Sequence, residues 1–175
     1  MNKIVAFALS AAVFACHSCR KIQIAQFDVP FSMDFEFSAA TQQNDFAHEF
    51  NVDANDYAEF RDNKQRLQHL TLRRASVCVK EVEEGADATI ALSLWAADST
   101  RRFFLVGRLS DLTLTPSSPC ATLSPDAEGQ SRLENMMRNA PHRFVLKITG
   151  SADRAPLDGT FQVRIEVNQK VKVAI

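Results

Sequence analysis

Between Phe27 and Ser38 every second residue is apolar. Phe27, Val29, Phe31, Met33, Phe35 and Phe37 alternate with Asp28, Pro30, Ser32, Asp34, Glu36 and Ser38. A period of two puts successive side chains on opposite faces of an extended chain, so this segment reads as a half-buried strand and excludes a helix. Pro30 has no N–H to give to a ladder, which places the strand at a sheet edge or breaks it there.

The same rhythm continues along the chain. Strands are expected over Phe46 to Val52, Leu70 to Val82, Thr89 to Ala96, Phe103 to Leu114, Arg143 to Gly150 and Thr160 to Val173. Hairpin turns are expected at Glu83 to Asp87 and Ala97 to Thr100. Leu70 and Leu72 share one phase and Ala75, Val77 and Val79 the other, so a bulge is expected near Arg73-Arg74. Two short helices interrupt the strands. The first runs over Asn55 to Arg66, capped by Asp53, with Tyr57 and Phe60 as its buried stripe. The second runs over about Ala127 to Asn139, closed by Pro141, with Leu133, Met136 and Met137 inward.

About seven or eight strands without strict strand-helix alternation argue against a parallel sheet. The expected fold is mainly β: an antiparallel, immunoglobulin-like β-sandwich with one or two short helices. Thirteen phenylalanines against one tryptophan and one tyrosine supply aromatic mass without polar handles, which suits a packed core better than a carbohydrate platform. Trp95 decides that point: solvent exposure beside a groove favours a glycan site, and burial makes it one more core residue.

The start of the chain carries a different signal. Met1-Asn2-Lys3 precedes a twelve-residue apolar run, Ile4 to Ala15. As a helix the run reaches only about 18 Å, short of the ~30 Å hydrocarbon core of a bilayer. A basic start, a short apolar run and small residues before a cut form the layout of a secretory signal peptide. Val13-Phe14-Ala15-Cys16 resembles the lipobox of bacterial lipoproteins, although leucine is usual where Val13 stands and a smaller residue where Phe14 stands. The resemblance implies cleavage after Ala15, a thioether-linked diacylglycerol on Cys16 and acylation of its new amino group. It also implies membrane attachment through Cys16, since several acyl chains anchor stably where one is marginal. Ordinary signal-peptidase cleavage is the alternative. On the lipobox reading residues 1–15 are a signal peptide, 16–26 a lipid-anchored tether and 27–175 one sandwich domain. In strand rhythm the domain resembles the small β-sandwich lipoproteins of bacterial envelopes, a likeness that carries no site residue.

Cys16-His17-Ser18-Cys19 also fits the spacing of a redox pair. That motif needs a strand before it and a helix after it, whereas the sequence onward reads as a polar tether and then a strand. A structural zinc site wants a second close pair of ligands, and Cys78 and Cys120 are far apart in sequence. In an oxidising compartment those two can pair, closing a loop of about 42 residues worth about 4 kcal/mol on the chain-entropy model. Two unpaired thiols remain the other reading.

Other chemistry finds little support. A net charge of −1 lacks the cationic excess of a nucleic-acid surface, so no nucleic-acid partner is expected. Asp53-Ala54-Asn55-Asp56 opens like a calcium loop, but Tyr57 and Ala58 break the alternation of oxygen ligands. His17, His48, His69 and His142 are scattered without metal-ligand spacing. Gly129-Gln130-Ser131-Arg132-Leu133 fails as a hydrolase elbow at its last place. No catalytic, cofactor or metal residue is assigned; a nonlocal cluster, for instance of Asp34, His48 and Glu49, is the form an enzyme site would take. The sequence therefore points to a non-catalytic, lipid-anchored cell-envelope protein acting as a structural or protein-interaction module, with an envelope protein as partner. The alternative is an exported binder of a small apolar ligand, a peptide or a glycan.

Overall fold

The computed structural model describes residues 24–41, 44–82, 88–115, 120–155 and 157–174. The expected signal segment, Cys16, Cys19, His17 and the turn Glu83 to Asp87 lie outside them. In chain order the elements are β1 (Ile24–Thr41), β2 (Asp45–Asp53), α1 (Ala58–Asn63), β3 (Leu67–Val82), β4 (Thr89–Ala97), β5 (Phe104–Thr113), β6 (Ala121–Thr122), β7 (Ser124–Pro125), α2 (Ala127–Arg138), β8 (Arg143–Ala152) and β9 (Leu157–Ala174). β1 begins at Ile24, so the last three residues expected to be tether are strand.

The strands form two antiparallel sheets. The first has the order β1-β9-β3-β6 and the second β2-β8-β4-β5-β7. The first long strand pairs with the last, and the second with the last but one, so consecutive long strands such as β1 and β2, or β3 and β4, lie in opposite sheets. This nested order is that of a jelly roll. It corrects the immunoglobulin-like expectation, because immunoglobulin order sets the first strand beside the second. It also corrects the first expected hairpin: β3 and β4 lie in opposite sheets, and among the described residues β4 and β5 are the one pair of consecutive strands that lie side by side. Period two identifies which face of a strand is buried; it does not identify the strand alongside.

Between the sheets Phe31, Met33, Phe35 and Phe37 of β1 meet Val52, Leu92, Leu94, Leu146 and Ile148 of the second sheet, all buried. The alternation is unbroken through Pro30, and β1 lies at the edge of its sheet. The register of β3 against β9 shifts between Leu72 and Arg74, where the change of phase requires a bulge. Beside it the Leu72 N–H donates to the Glu134 carboxylate at 2.7 Å, tying α2 to the first sheet. Leu133 and Met137 are fully buried under α2, and Met136 only half.

Strands of 16 to 18 residues in the first sheet outrun those of 9 or 10 in the second. The part of the first sheet nearest Phe31 is covered by α1, whose Phe60 is fully buried with its ring centroid 6.4 Å from that of Phe31. The helix is shorter than expected: single 3-10 turns take Ala54–Asp56 and Lys64–Arg66. Beyond this cover Ile24 and Phe27 are exposed. Among the described residues no helix is long and apolar enough to cross a membrane.

Candidate functional site

The second sheet buries one face in the core and leaves the other open, and strand register decides what that open face carries. Glu49 of β2 stands opposite Lys147 of β8, which stands opposite Trp95 of β4, which stands opposite Leu105 of β5. Two residues along β2, β8 and β4, and three along β5 where the register shifts, lies a second row: Ala47, Thr149, Ser93 and Arg108. A third begins with Asp45, Ser151 and Ala91. The first row is tall and, apart from Arg108 at the β5 end, the other two are short, so their meeting makes a step with a trough at its foot.

Trp95 forms the step. Its Nε1–H donates to Thr149 Oγ1 at 3.0 Å, which holds the indole leaning across β8. Lys147 Nζ sits 5.3 Å from the centroid of the Phe103 ring and 3.5 Å from Glu49 Oε1. Arg101 Nη1 reaches the other Glu49 oxygen at 3.4 Å. Trp95, Phe103, Lys147 and Thr149 line a cleft of about 290 Å³. Trp95 is half-buried beside it, and neither Trp95 nor Phe103 belongs to the core cluster or packs against it.

Thr149 is shared with the trough, an open groove of about 640 Å³ floored by Ala47, Ala91, Ser93, Gly150 and Ser151 and flanked by Asp45, Arg108 and Ser110. The hydroxyls of Ser93, Ser110, Thr149 and Ser151 can each donate and accept. Arg108 is exposed and, among the described residues, makes no ion pair or side-chain hydrogen bond. A flat aromatic wall, a row of hydroxyls and one uncommitted guanidinium are groups that hold a ligand.

A second groove, of about 750 Å³, lies at one end of the sandwich between the end of β2, the start of β8 and the C-terminal end of α2. Asp53, Asp56 and Asp98 lie on it, with Asn135, Met136 and Arg143. Its central carboxylate is already engaged. Asp53 accepts from Arg143 Nε at 2.7 Å and from the backbone N–H and side-chain amide of Asn55 at 2.9 and 2.6 Å. The Arg143 hydrogen bond, then the Asn55 N–H, hold its carboxyl down at about 2 against the usual 3.8. This is a clamp joining β2 to β8.

Of the residues singled out in the sequence, Cys78 and Cys120 are joined by a disulfide with S–S 2.03 Å, which ties β3 to the segment leading into β6. Asp34 is bound bidentately by Arg164 on the first sheet, whereas Glu49 lies on the open face of the second. His48 is set against the Phe37 and Phe50 rings, so Asp34, His48 and Glu49 form no cluster. Among the described residues no group of three or more His, Cys, Asp or Glu side chains is placed to hold a metal ion. The trough itself escapes sequence reading, because its rows come from three pairings between strands far apart in the chain. Trp95 was the one visible signal.

No family model matches this chain, and no curated protein does. Among solved structures, a chain of Desmodium yellow mottle tymovirus is similar over 87% of this chain and 91% of its own, at 12% identity and a TM-score of 0.36. The decameric BFDV capsid protein is similar over 85% and 99%, at 10% identity and 0.41. A chain of turnip yellow mosaic virus is similar over 85% and 96%, at 10% identity and 0.35. Likeness of that degree says nothing of what this chain binds or does.

Proposed function

We propose that this chain is a non-catalytic cell-envelope protein, anchored by lipid at Cys16, whose sandwich presents the open face of the second sheet to a partner outside the cytoplasm. The observation that supports it most is the trough at the foot of Trp95. An aromatic residue in a Phe-built protein stands outside the core, fixed by a hydrogen bond, over a row of hydroxyls. The one carboxylate in the Trp95 row, Glu49, is committed to Lys147 and Arg101, which suits holding a ligand more than transferring a proton.

A second candidate surface is the edge of β1, which among the described residues pairs only with β9. Edge strands expose unpaired backbone groups that a partner strand can use. Pro30, Asp28, Asp34 and Glu36 lie along that edge, and proline and charge are the features that discourage such pairing. The open sheet face is therefore the stronger choice.

The anchor is tested by intact-mass analysis of the full-length protein recovered from bacterial membranes, beside Cys16→Ala. Loss of residues 1–15 with a gain of several acyl chains, abolished by the substitution, is the expected result. An unlipidated mass contradicts it: cleavage elsewhere makes the chain a soluble exported domain, and an intact Met1 returns Cys16 and Cys19 to consideration as chemistry.

A further inference from the structure

We infer that the trough on the second sheet binds an acidic saccharide, with a sugar ring packed on Trp95 and an anionic substituent paired to Arg108. The inference rests on the binding-module reading above and names the ligand class of the same face.

Three features select this class. The indole is fixed by its bond to Thr149, so the wall is set before a ligand arrives and little ordering entropy is lost on binding. Sugar rings combine an apolar C–H face, which suits an aromatic plane, with equatorial hydroxyls that need partners of both kinds. The serine and threonine hydroxyls of the trough supply such partners, whereas a purely apolar ligand would leave them dry and unpaired. The third feature is charge. Arg108, Lys147 and Arg101 stand on or beside this face against Glu49 and Asp45. Glu49 is shared between Lys147 and Arg101, which leaves Arg108 as the available cation.

Arg108 sits opposite Ser93, one strand over and two residues along from Trp95, a Cα separation of about 8 Å from strand geometry. A disaccharide can bridge that distance. Asp45 lies on β2, three strand spacings from Arg108, or about 14 Å, so its repulsion falls on the far end of the trough and orients the acidic group toward Arg108. A guanidinium forks two N–H donors onto a carboxylate or sulfate.

Trp95 is the single tryptophan of the chain, so intrinsic fluorescence reads this site alone. The full chain is titrated with tetragalacturonate and with a hyaluronan hexasaccharide, against maltotetraose as the neutral control. The expected result is a saturable change in Trp95 emission with at least one acidic probe, with binding at least about ten-fold weaker for maltotetraose. By calorimetry, Arg108→Gln and Trp95→Ala should each weaken the acidic probe by about ten-fold, while Trp95→Phe keeps most of the affinity. Arg108 is exposed, so its replacement tests the site even if Trp95→Ala perturbs folding.

Equal binding of maltotetraose overturns the acidic assignment. Affinity that survives both Arg108→Gln and Trp95→Ala overturns the site. No response to any probe at millimolar concentration overturns the saccharide. A concentration-dependent dimer that buries Trp95 assigns the face to a second copy and overturns the inference as well. Failure of the lipid anchor would show only in the intact mass and leave these titrations unchanged.

Discussion

Three residues bear on stability in ways their sequence neighbourhoods do not suggest. Gly129 lies in the first turn of α2, against β5, and a Cβ placed on it would come within 1.6 Å of the Leu105 carbonyl oxygen. Backbone cannot yield as a flexible side chain can, so Gly129→Ala should cost about 2 to 3 kcal/mol in urea unfolding, although alanine is the better helix former. Gln169 poses the opposite problem. Its side chain is fully buried on β9 and, among the described residues, neither amide atom is paired. Such a group costs about 1 to 3 kcal/mol, so Gln169→Met should raise stability by that order, and a loss on substitution would show that the amide has a partner. Asp53 gives the pH dependence. Held at about 2 by Arg143 and Asn55 against 3.8, its carboxyl binds a proton more weakly folded than unfolded. Its contribution is complete above about pH 5 and is lost as pH falls toward 2. Because Arg143 is largely exposed, the effect should be about 1 kcal/mol or less. Urea midpoints of Asp53→Asn and the unsubstituted protein should converge between pH 5 and pH 2.5; an unchanged gap would contradict the clamp. Of these three roles, sequence shows Asp53 as a cap and nothing of the other two, because both arise from neighbours distant in the chain.

At the scale of elements, what can be read from sequence divides along the same line. The period-two run from Phe27 to Phe37 marks a strand and its buried face without any neighbour, and the phase change in β3 forces a bulge that lies between Leu72 and Arg74. Partner choice is another matter. β1 faces β9 across more than a hundred intervening residues, and alternation is blind to that distance. Joining the expected strands in sequence order as hairpins therefore gave the wrong sheet to β4. The Cys78–Cys120 bridge, with a sequence separation of 42, limits how far β3 and β6 can part when unfolded. Replacing both cysteines by alanine should lower stability by up to about 4 kcal/mol on the chain-entropy model. The intact protein should migrate faster under non-reducing than reducing electrophoresis, and equal migration would mean the thiols are free.

For the whole molecule, the sandwich separates its tasks by face. The inner faces take Phe31, Phe35, Phe37, Phe144 and Phe161, the first sheet extends toward the N-terminal end of β1, and the second leaves its outer face open. Within that division Trp95 is the decisive residue: its identity was legible, most of its surroundings were not, because Lys147, Thr149 and Arg108 reach it only through β8 and β5. The most direct measurement is collisional quenching of Trp95 fluorescence in the full-length protein on membranes, comparing iodide with caesium ions. If the face is open and bears the Lys147, Arg101 and Arg108 charges, iodide should quench and should do so more strongly than caesium. Emission insensitive to both ions would mean that the face is covered, and the second sheet would lose its place as the recognition surface.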